Sequence, residues 1–262
     1  MDRPKLTQSA AGKLATQMSE VAAGLRDQVN GKVTPDTEEK KFFFGTLDRC
    51  SAMLRAVGTI LSQSTPSSLD PALILLRALI DDCIRVFAVY WTKDRDALLT
   101  AMNAKHWTDK HKIAKESAEF NRDFFAGQGK GLMTDSTLRQ WEMEILDLLD
   151  AELFTDKQKR RFKTMRAMKD LMSEIKGEYG DTVAHAYVLY RQLSLSVHYS
   201  PAGFLPSQNH AAILLLDECL GYAYRTLNLQ YAYFKGLEPS LSWSCPAMDE
   251  WFRSVTTPER PC

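Results

Sequence analysis

The sequence predicts an all-α fold, a single-domain bundle of about eight helices. Apolar residues recur at spacings of three and four along most of the chain, and no segment alternates apolar and polar residues as a half-buried strand does. The chain has 262 residues, of which 45% are hydrophobic and 25% charged, as is typical of a folded globular protein. We expect one helical domain over 1–236 and an irregular aromatic tail over 237–262 that packs on its body.

Two amphipathic helices are expected near the start of the chain. Apolar residues over 14–29 form one buried stripe, which Asn30-Gly31 ends as a left-handed C-cap. Apolar residues over 43–61 form the second stripe, and the capping-box pattern Asp36-x-x-Glu39 opens that helix.

The third helix is predicted to be central, because it is apolar nearly all round. Asp70-Pro71 supplies an N-cap and a proline at the first helical position, and the helix runs to about Trp91. Arg77, Asp81 and Arg85 recur along it at intervals of four and form a charged ladder. Unpaired buried charges are costly, so the ladder is expected to be paired within the protein, solvated in a cleft, or both.

The rest of the chain is also predicted to be helical. The glycine-rich segment 127–131 lacks Walker A spacing and a preceding strand, so it is expected to be a connector. The predicted helices are 94–104, 109–126, 136–152, 156–176, one that follows the break at 177–181 and ends at Pro201, and 209–235.

Composition excludes several classes of protein. Lysine plus arginine equals aspartate plus glutamate at 33 each, so the net charge is zero, which argues against coating nucleic acid through bulk charge. The five cysteines are scattered, which indicates reduced thiols rather than a disulfide framework or a zinc site. With no signal core and no uncharged apolar run of roughly 18–20 residues, we expect a cytoplasmic protein that does not enter a membrane.

No metal or cofactor site is predicted. His106 and His111 lie five residues apart, off the spacing for two ligands on one helical face, and no cysteine or carboxylate set completes a site. Signatures of serine and cysteine nucleophiles are also missing. His185 and His210 are expected to be ordinary helix residues.

The strongest signal for chemistry is an arginine and a histidine seven positions apart, Arg191 and His198. At about 100° per residue, seven steps make roughly two turns of helix, so both side chains lie on one face. Pro201 ends the helix near Ser200, which places the histidine in the last turn, where the helix dipole favours imidazolium. Histidine suits general acid–base catalysis, and arginine suits stabilising the charge on a phosphorane.

Together the pair would promote attack of a ribose 2′-hydroxyl on the adjacent phosphate without a metal. Asp81 or Asp82 of the third helix is expected to hold the arginine or to orient the histidine. The alternative is an ordinary surface arginine and a histidine that caps a helix end. The remaining candidates are auxiliary side chains: Ser194, Tyr199, Arg77 and Arg85.

The segment Arg191-x6-His198 resembles the R-x(4–6)-H motif of the HEPN superfamily. Those compact helical proteins include many metal-independent ribonucleases of toxin–antitoxin, phage-defence and CRISPR systems. Segments 75–82 and 190–201 also resemble a helical bacterial family of unknown function, in which an arginine–acid helix is followed later by a Ser-x3-His helix end. One departure is Gln192, because active HEPN nucleases usually carry Asn, Asp or His directly after the arginine.

The resemblance implies a homodimer in which two motifs face each other across an RNA groove. It also implies an endoribonuclease that acts in phage defence or toxin-like growth control, with a regulatory partner protein. A basic run in the predicted helix 156–176 would then contact phosphates, and is otherwise a solvated helix face. That run contains Lys159, Arg160, Arg161, Lys163 and Arg166. The alternative is a non-catalytic helical protein that binds a nucleotide, a small ligand or a protein partner through the same polar stripe.

Overall fold

The protein is mainly helical in the part that the computed structural model describes, which is residues 6–63, 65, 68–125, 136, 139, 140, 143, 180–197 and 209–244. These residues contain no strand, so the predicted all-α class is confirmed. The long helices are α1 (Gln8–Asn30), α2 (Glu38–Ser62), α3 (Leu69–Trp91), α4 (Arg95–Phe125), α5 (Gly180–Val197) and α6 (Asn209–Leu237).

The chain divides into two compact units, 1–92 with 168–262 and 93–167. In the first unit α3 packs against α2, α5 and α6, and α1 packs against α2 and α6. Leu76, Ile80 and Phe87 of α3 are fully buried, so α3 is the central helix of this unit, as its apolar sequence predicts. That residues 1–236 form a single domain stays a prediction.

Helices α1 and α2 approach each other closely because small residues lie where they meet. A Cβ atom on Gly58 would lie 2.3 Å from Oγ1 of Thr16 and 3.1 Å from the carbonyl oxygen of Gly12. Ser19 and Ser51 exchange hydrogen bonds there, each hydroxyl donating to the other residue's carbonyl, at 2.8 and 3.1 Å. The pair therefore satisfies its buried hydroxyls across the helix interface.

The predicted N-cap of α2 is wrong. The helix begins at Glu38, and its N-cap is Thr37, whose hydroxyl accepts the amide of Lys40 at 3.2 Å. Asp36 lies one residue too early to cap, and its carboxylate accepts from the Lys40 ammonium at 2.7 Å instead. A threonine next to the first turn has displaced the predicted capping box.

The start of α3 also differs from the prediction. The helix begins at Leu69 with Ser68 as its N-cap, so Asp70-Pro71 lies inside the first turn rather than at the boundary. Leu69 is buried in the core, and this burial extends the helix toward the N-terminus. The Gln8 amide donates to the Ser68 hydroxyl at 2.6 Å, which fastens the connector to α1.

The C-terminal end of α1 and the course of α4 also differ from the predictions. Helix α1 stops at Asn30 as predicted, but Gly31 has φ −83° and ψ −10° and is not left-handed. The amides of Lys32 and Val33 bond to the carbonyl of Val29 and tighten the turn instead. Helix α4 is continuous over the predicted break between 104 and 109, because no glycine or proline lies there to stop it.

After α6 the chain turns back onto α1. The Gln28 amide donates to the carbonyl of Ser242 at 3.2 Å and accepts its backbone N–H at 3.1 Å. Lys32 donates to the hydroxyl of Ser240 at 2.7 Å. The first residues of the predicted tail are thus bonded to α1, and positions 245–262 lie outside the described residues.

None of the helices in the described ranges is both long enough and apolar enough to cross a membrane.

Candidate functional site

The polar side of α3 meets α5 at Arg77. Its Nε donates to Oγ of Ser194 at 3.0 Å, and one Nη donates to the hydroxyl of Tyr190 at 3.1 Å. Its Cζ lies 5.0 Å from the centroid of the Tyr190 ring. These contacts bring together two predicted auxiliary residues, Arg77 and Ser194, and place the first half of α3 beside the second half of α5.

Arg77 is half-buried and its partners are neutral. Among the residues that the structure describes, it donates to hydroxyl oxygens and to no carboxylate. The Ser194 hydroxyl donates a hydrogen bond to the carbonyl oxygen of Tyr190 at 2.8 Å. The lone pairs of its oxygen are therefore available to accept from the Arg77 guanidinium. Arg77 therefore keeps a positive charge that no described acid neutralises.

The charged ladder of α3 is both paired and partly solvated. Arg77, Asp81 and Arg85 are all half-buried, at the edge of the helix surface that faces the core. Arg85 donates from Nε to a carboxylate oxygen of Asp81 at 3.1 Å, and the two side chains are 36% and 28% exposed. One ladder pair is thus neutral within α3, while Arg77 turns toward α5.

Asp82 faces α2. Its carboxylate accepts from Nε of Arg49 at 2.9 Å, and the aspartate residue is only 7% exposed. Burial raises the pKa of the Asp82 carboxyl above its ordinary value, and the charge and hydrogen bond of Arg49 offset this only in part. No sequence pattern singles out Arg49, which lies 33 positions away on another helix.

Arg191 is exposed on α5, one turn before Ser194. Tyr187 and Ser194, which the helical spacing places on the same face, are half-buried, while Leu189 and Leu193 point into the core. The polar stripe of α5, defined here as Tyr187, Tyr190, Arg191 and Ser194, thus runs along the edge of the packed surface.

The other predicted site residues are not brought together by the described contacts. Asp81 and Asp82 bond to Arg85 and Arg49, and their predicted support of the arginine–histidine pair stays a prediction. The candidates that lie outside the described residues are His198, Tyr199, Lys159, Arg160, Arg161, Lys163 and Arg166.

A second polar contact joins α5 to α6 and was not predicted. Nδ1 of His185 lies 2.8 Å from the hydroxyl of Tyr222, and Cζ of Arg225 lies 5.4 Å from the centroid of that ring. Burial raises the pKa of Tyr222 to about 12, so the phenol is protonated at neutral pH. Helical periodicity does not reveal such pairs, because it does not say which helices are neighbours.

Cysteine and metal chemistry find no support in the described ranges. Cys50, Cys83 and Cys219 are free and buried, and burial raises the pKa of each thiol, that of Cys83 to about 12. Protonated buried thiols are poor nucleophiles. Over the same ranges, no group of three or more His, Cys, Asp or Glu side chains is placed to hold a metal ion.

Comparison with protein-family models, with curated proteins and with solved structures finds no match for this chain. The resemblance to HEPN proteins therefore rests on the motif residues alone.

Proposed function

We propose that the chain is a metal-independent endoribonuclease of HEPN type, acting in phage defence or toxin-like growth control. The observation that carries this proposal is the polar stripe of α5, on which exposed Arg191 lies one turn from Ser194 and its partner Arg77. An exposed guanidinium makes charge-assisted, forked hydrogen bonds with a phosphodiester. The half-buried guanidinium beside it adds positive charge to the same surface.

In the proposed reaction, His198 removes the proton from a ribose 2′-hydroxyl. The resulting oxygen attacks the adjacent phosphorus, and the bond from phosphorus to the 5′-oxygen breaks as that oxygen receives a proton. The products are a 2′,3′-cyclic phosphate and a free 5′-hydroxyl. Arg191 stabilises the negative charge on the phosphorane, and histidine serves both proton transfers.

The proposal includes a homodimer in which two motifs face one RNA groove. One His198 then serves as base while its copy in the other subunit serves as acid. Asp81 or Asp82 is proposed to hold Arg191 or to orient His198, and the basic run 159–166 to contact phosphates farther along the RNA. A native mass of twice 29.7 kDa by light scattering is expected, and a monomeric mass would contradict the dimer.

Cleavage of a labelled RNA in EDTA tests the activity. We expect the wild type to cleave, and His198→Ala and Arg191→Ala to lose about 10²-fold or more, as removal of an acid–base or charge-stabilising group does. Matched controls are His106→Ala in α4 and Arg55→Ala in α2, which alter exposed residues outside the motif. Equal cleavage by wild type and His198→Ala, or none by either, would count against catalysis.

A second candidate is a non-catalytic helical protein that binds a nucleotide, a small ligand or a protein partner through the same stripe. The contacts of Asp81 with Arg85 and of Asp82 with Arg49 favour it, because both carboxylates are already engaged. Under this alternative the wild type binds an uncleavable nucleotide ligand and cleaves no RNA.

A further inference from the structure

We infer that Arg77, oriented by Ser194 and Tyr190, binds one phosphate group of an RNA chain at a position next to Arg191. The identity of the ligand as RNA rests on the proposed function. The phosphate chemistry rests on the contacts of Arg77 itself.

The first support is the number of hydrogen-bond donors. A guanidinium has five N–H groups, and Arg77 uses one on Ser194 and one on Tyr190. No bond from the other three N–H groups to a described residue is seen, so within the described part of the chain they are open to a further acceptor. The two hydroxyls hold the guanidinium plane in place, so a phosphate would meet a pre-organised fork and little side-chain entropy would be lost on binding.

The second support is the balance of charge. Asp81 is the acid one turn along from Arg77, but it is held by Arg85, and Asp82 is held by Arg49. A half-buried cation whose described partners are all neutral attracts an anion from solution. Arg85 and Arg49 are thus each paired with an aspartate, whereas the described partners of Arg77 are two hydroxyl groups.

The third support is the spacing to Arg191. Arg191 and Ser194 are separated by three positions on α5, so their Cβ atoms lie about 5–6 Å apart. Arg77 is bonded to Ser194, so its guanidinium lies about one helical turn from the base of the Arg191 side chain. Two successive phosphates of one strand would meet two arginines, and the site would therefore prefer an oligonucleotide to a mononucleotide.

Binding of a fluorescent 2′-O-methyl octauridylate tests the inference without cleavage, because the attacking hydroxyl is absent from this probe. Anisotropy is measured between about 50 and 200 mM salt for the wild type, Arg77→Gln and the matched control Arg55→Gln. We expect Arg77→Gln to bind about tenfold more weakly. Its slope of log affinity against log salt should fall by about 0.7, the value of one single-strand phosphate contact. Arg55→Gln should match the wild type.

Four results would overturn the inference. The first two are no binding of the probe by the wild type and an unchanged salt slope in Arg77→Gln. The third is that inorganic phosphate displaces the probe as well as an unlabelled oligonucleotide does at the same phosphate concentration. The fourth is an unchanged affinity of Arg77→Lys for the probe. Arg77→Lys also decides the matter if Arg77→Gln does not fold. Lysine keeps the positive charge but cannot donate two parallel hydrogen bonds to one phosphate, so we expect weaker binding with a similar slope of log affinity against log salt.

The two proposals fail separately. Binding that depends on Arg77 in a chain that cleaves no RNA would overturn the ribonuclease and keep the phosphate position. Cleavage that depends on His198, together with binding that ignores Arg77, would do the reverse.

Discussion

Arg77 and Ser194 are 117 positions apart in the chain, yet the Nε of Arg77 donates to the Ser194 hydroxyl at 3.0 Å and joins α3 to α5. The hydroxyl of Tyr190 accepts a second bond from the same guanidinium at 3.1 Å. Arg77 therefore bonds from α3 to two residues of the polar stripe of α5.

A double-mutant cycle of Arg77→Gln and Ser194→Ala is expected to show coupling between these residues. Each single change should lower the free energy of unfolding by about 0.5–1.5 kcal/mol, the usual net contribution of a hydrogen bond. The double mutant should lose less than the sum, with an interaction energy of about 0.5 kcal/mol or more. Urea denaturation measures all four proteins, and strictly additive losses would show that the contact does not contribute to stability.

Replacing Gly58 by Ala is expected to destabilise the fold by about 1–3 kcal/mol, because the added methyl group must displace Thr16 or separate α1 from α2. Gly45 is the matched control on the same helix, since a Cβ atom there meets nothing within 4 Å. Gly45→Ala should raise stability by about 0.5–1 kcal/mol through helix propensity alone. Thermal unfolding of both variants checks the prediction, which fails if the two shifts have the same sign.

Asp82→Asn is expected to stabilise the protein at neutral pH. The folded-state pKa of Asp82 is raised above 3.8, so the folded state favours the protonated acid and the wild type loses stability as pH rises through that raised pKa. The variant carries a neutral side chain at every pH and still offers an oxygen to Arg49. Unfolding midpoints of the two proteins should coincide in acid below 3.8 and separate as pH rises, with the variant higher.

Asp36→Asn provides a control of opposite sign for the same pH series. The hydrogen bond from Lys40 lowers the pKa of Asp36, so its contribution to stability is present at neutral pH and is lost as pH falls through the lowered pKa. This variant should be the less stable protein at neutral pH and should match the wild type in strong acid. Parallel behaviour of the two variants would contradict the assigned causes.

Gln192→Asn is expected to raise RNA cleavage if the ribonuclease proposal holds. Asparagine is one of the residues that usually follow the motif arginine in active HEPN nucleases, and its shorter amide would orient Arg191. One further hydrogen bond of about 1–1.5 kcal/mol in the transition state corresponds to roughly tenfold in rate. Gln17→Asn on α1, also exposed, is the control, and a lower or equal rate in Gln192→Asn would contradict the orienting role.

Helical periodicity predicts the described helices and the solvent-facing edge of α3, because each depends on residues close together in sequence. The spacing of Arg77, Asp81 and Arg85 was sufficient to place them on one face. The break expected near residue 105 was wrong, since weak periodicity without glycine or proline does not stop a helix.

The partners of the site residues were not predictable in the same way. Ser194 and Tyr190 belong to a helix more than a hundred positions from Arg77, and Arg49 lies on a third helix. Which helices are neighbours depends on the packing of whole surfaces, and the close approach at Gly58 is one such feature. A single sequence carries no local signal for these contacts.

The central position of α3 has a consequence for synthesis of the chain. Helix α3 ends at Trp91, whereas α5 begins at Gly180, so at roughly 5–20 residues per second the ribosome needs several seconds to supply the next described helix that packs against α3. During that interval apolar residues such as Phe87 have no partner from α5 or α6. We therefore expect the nascent chain to bind chaperones that hold exposed apolar helices, and the contact of Arg77 with Ser194 to form only after α5 has been made.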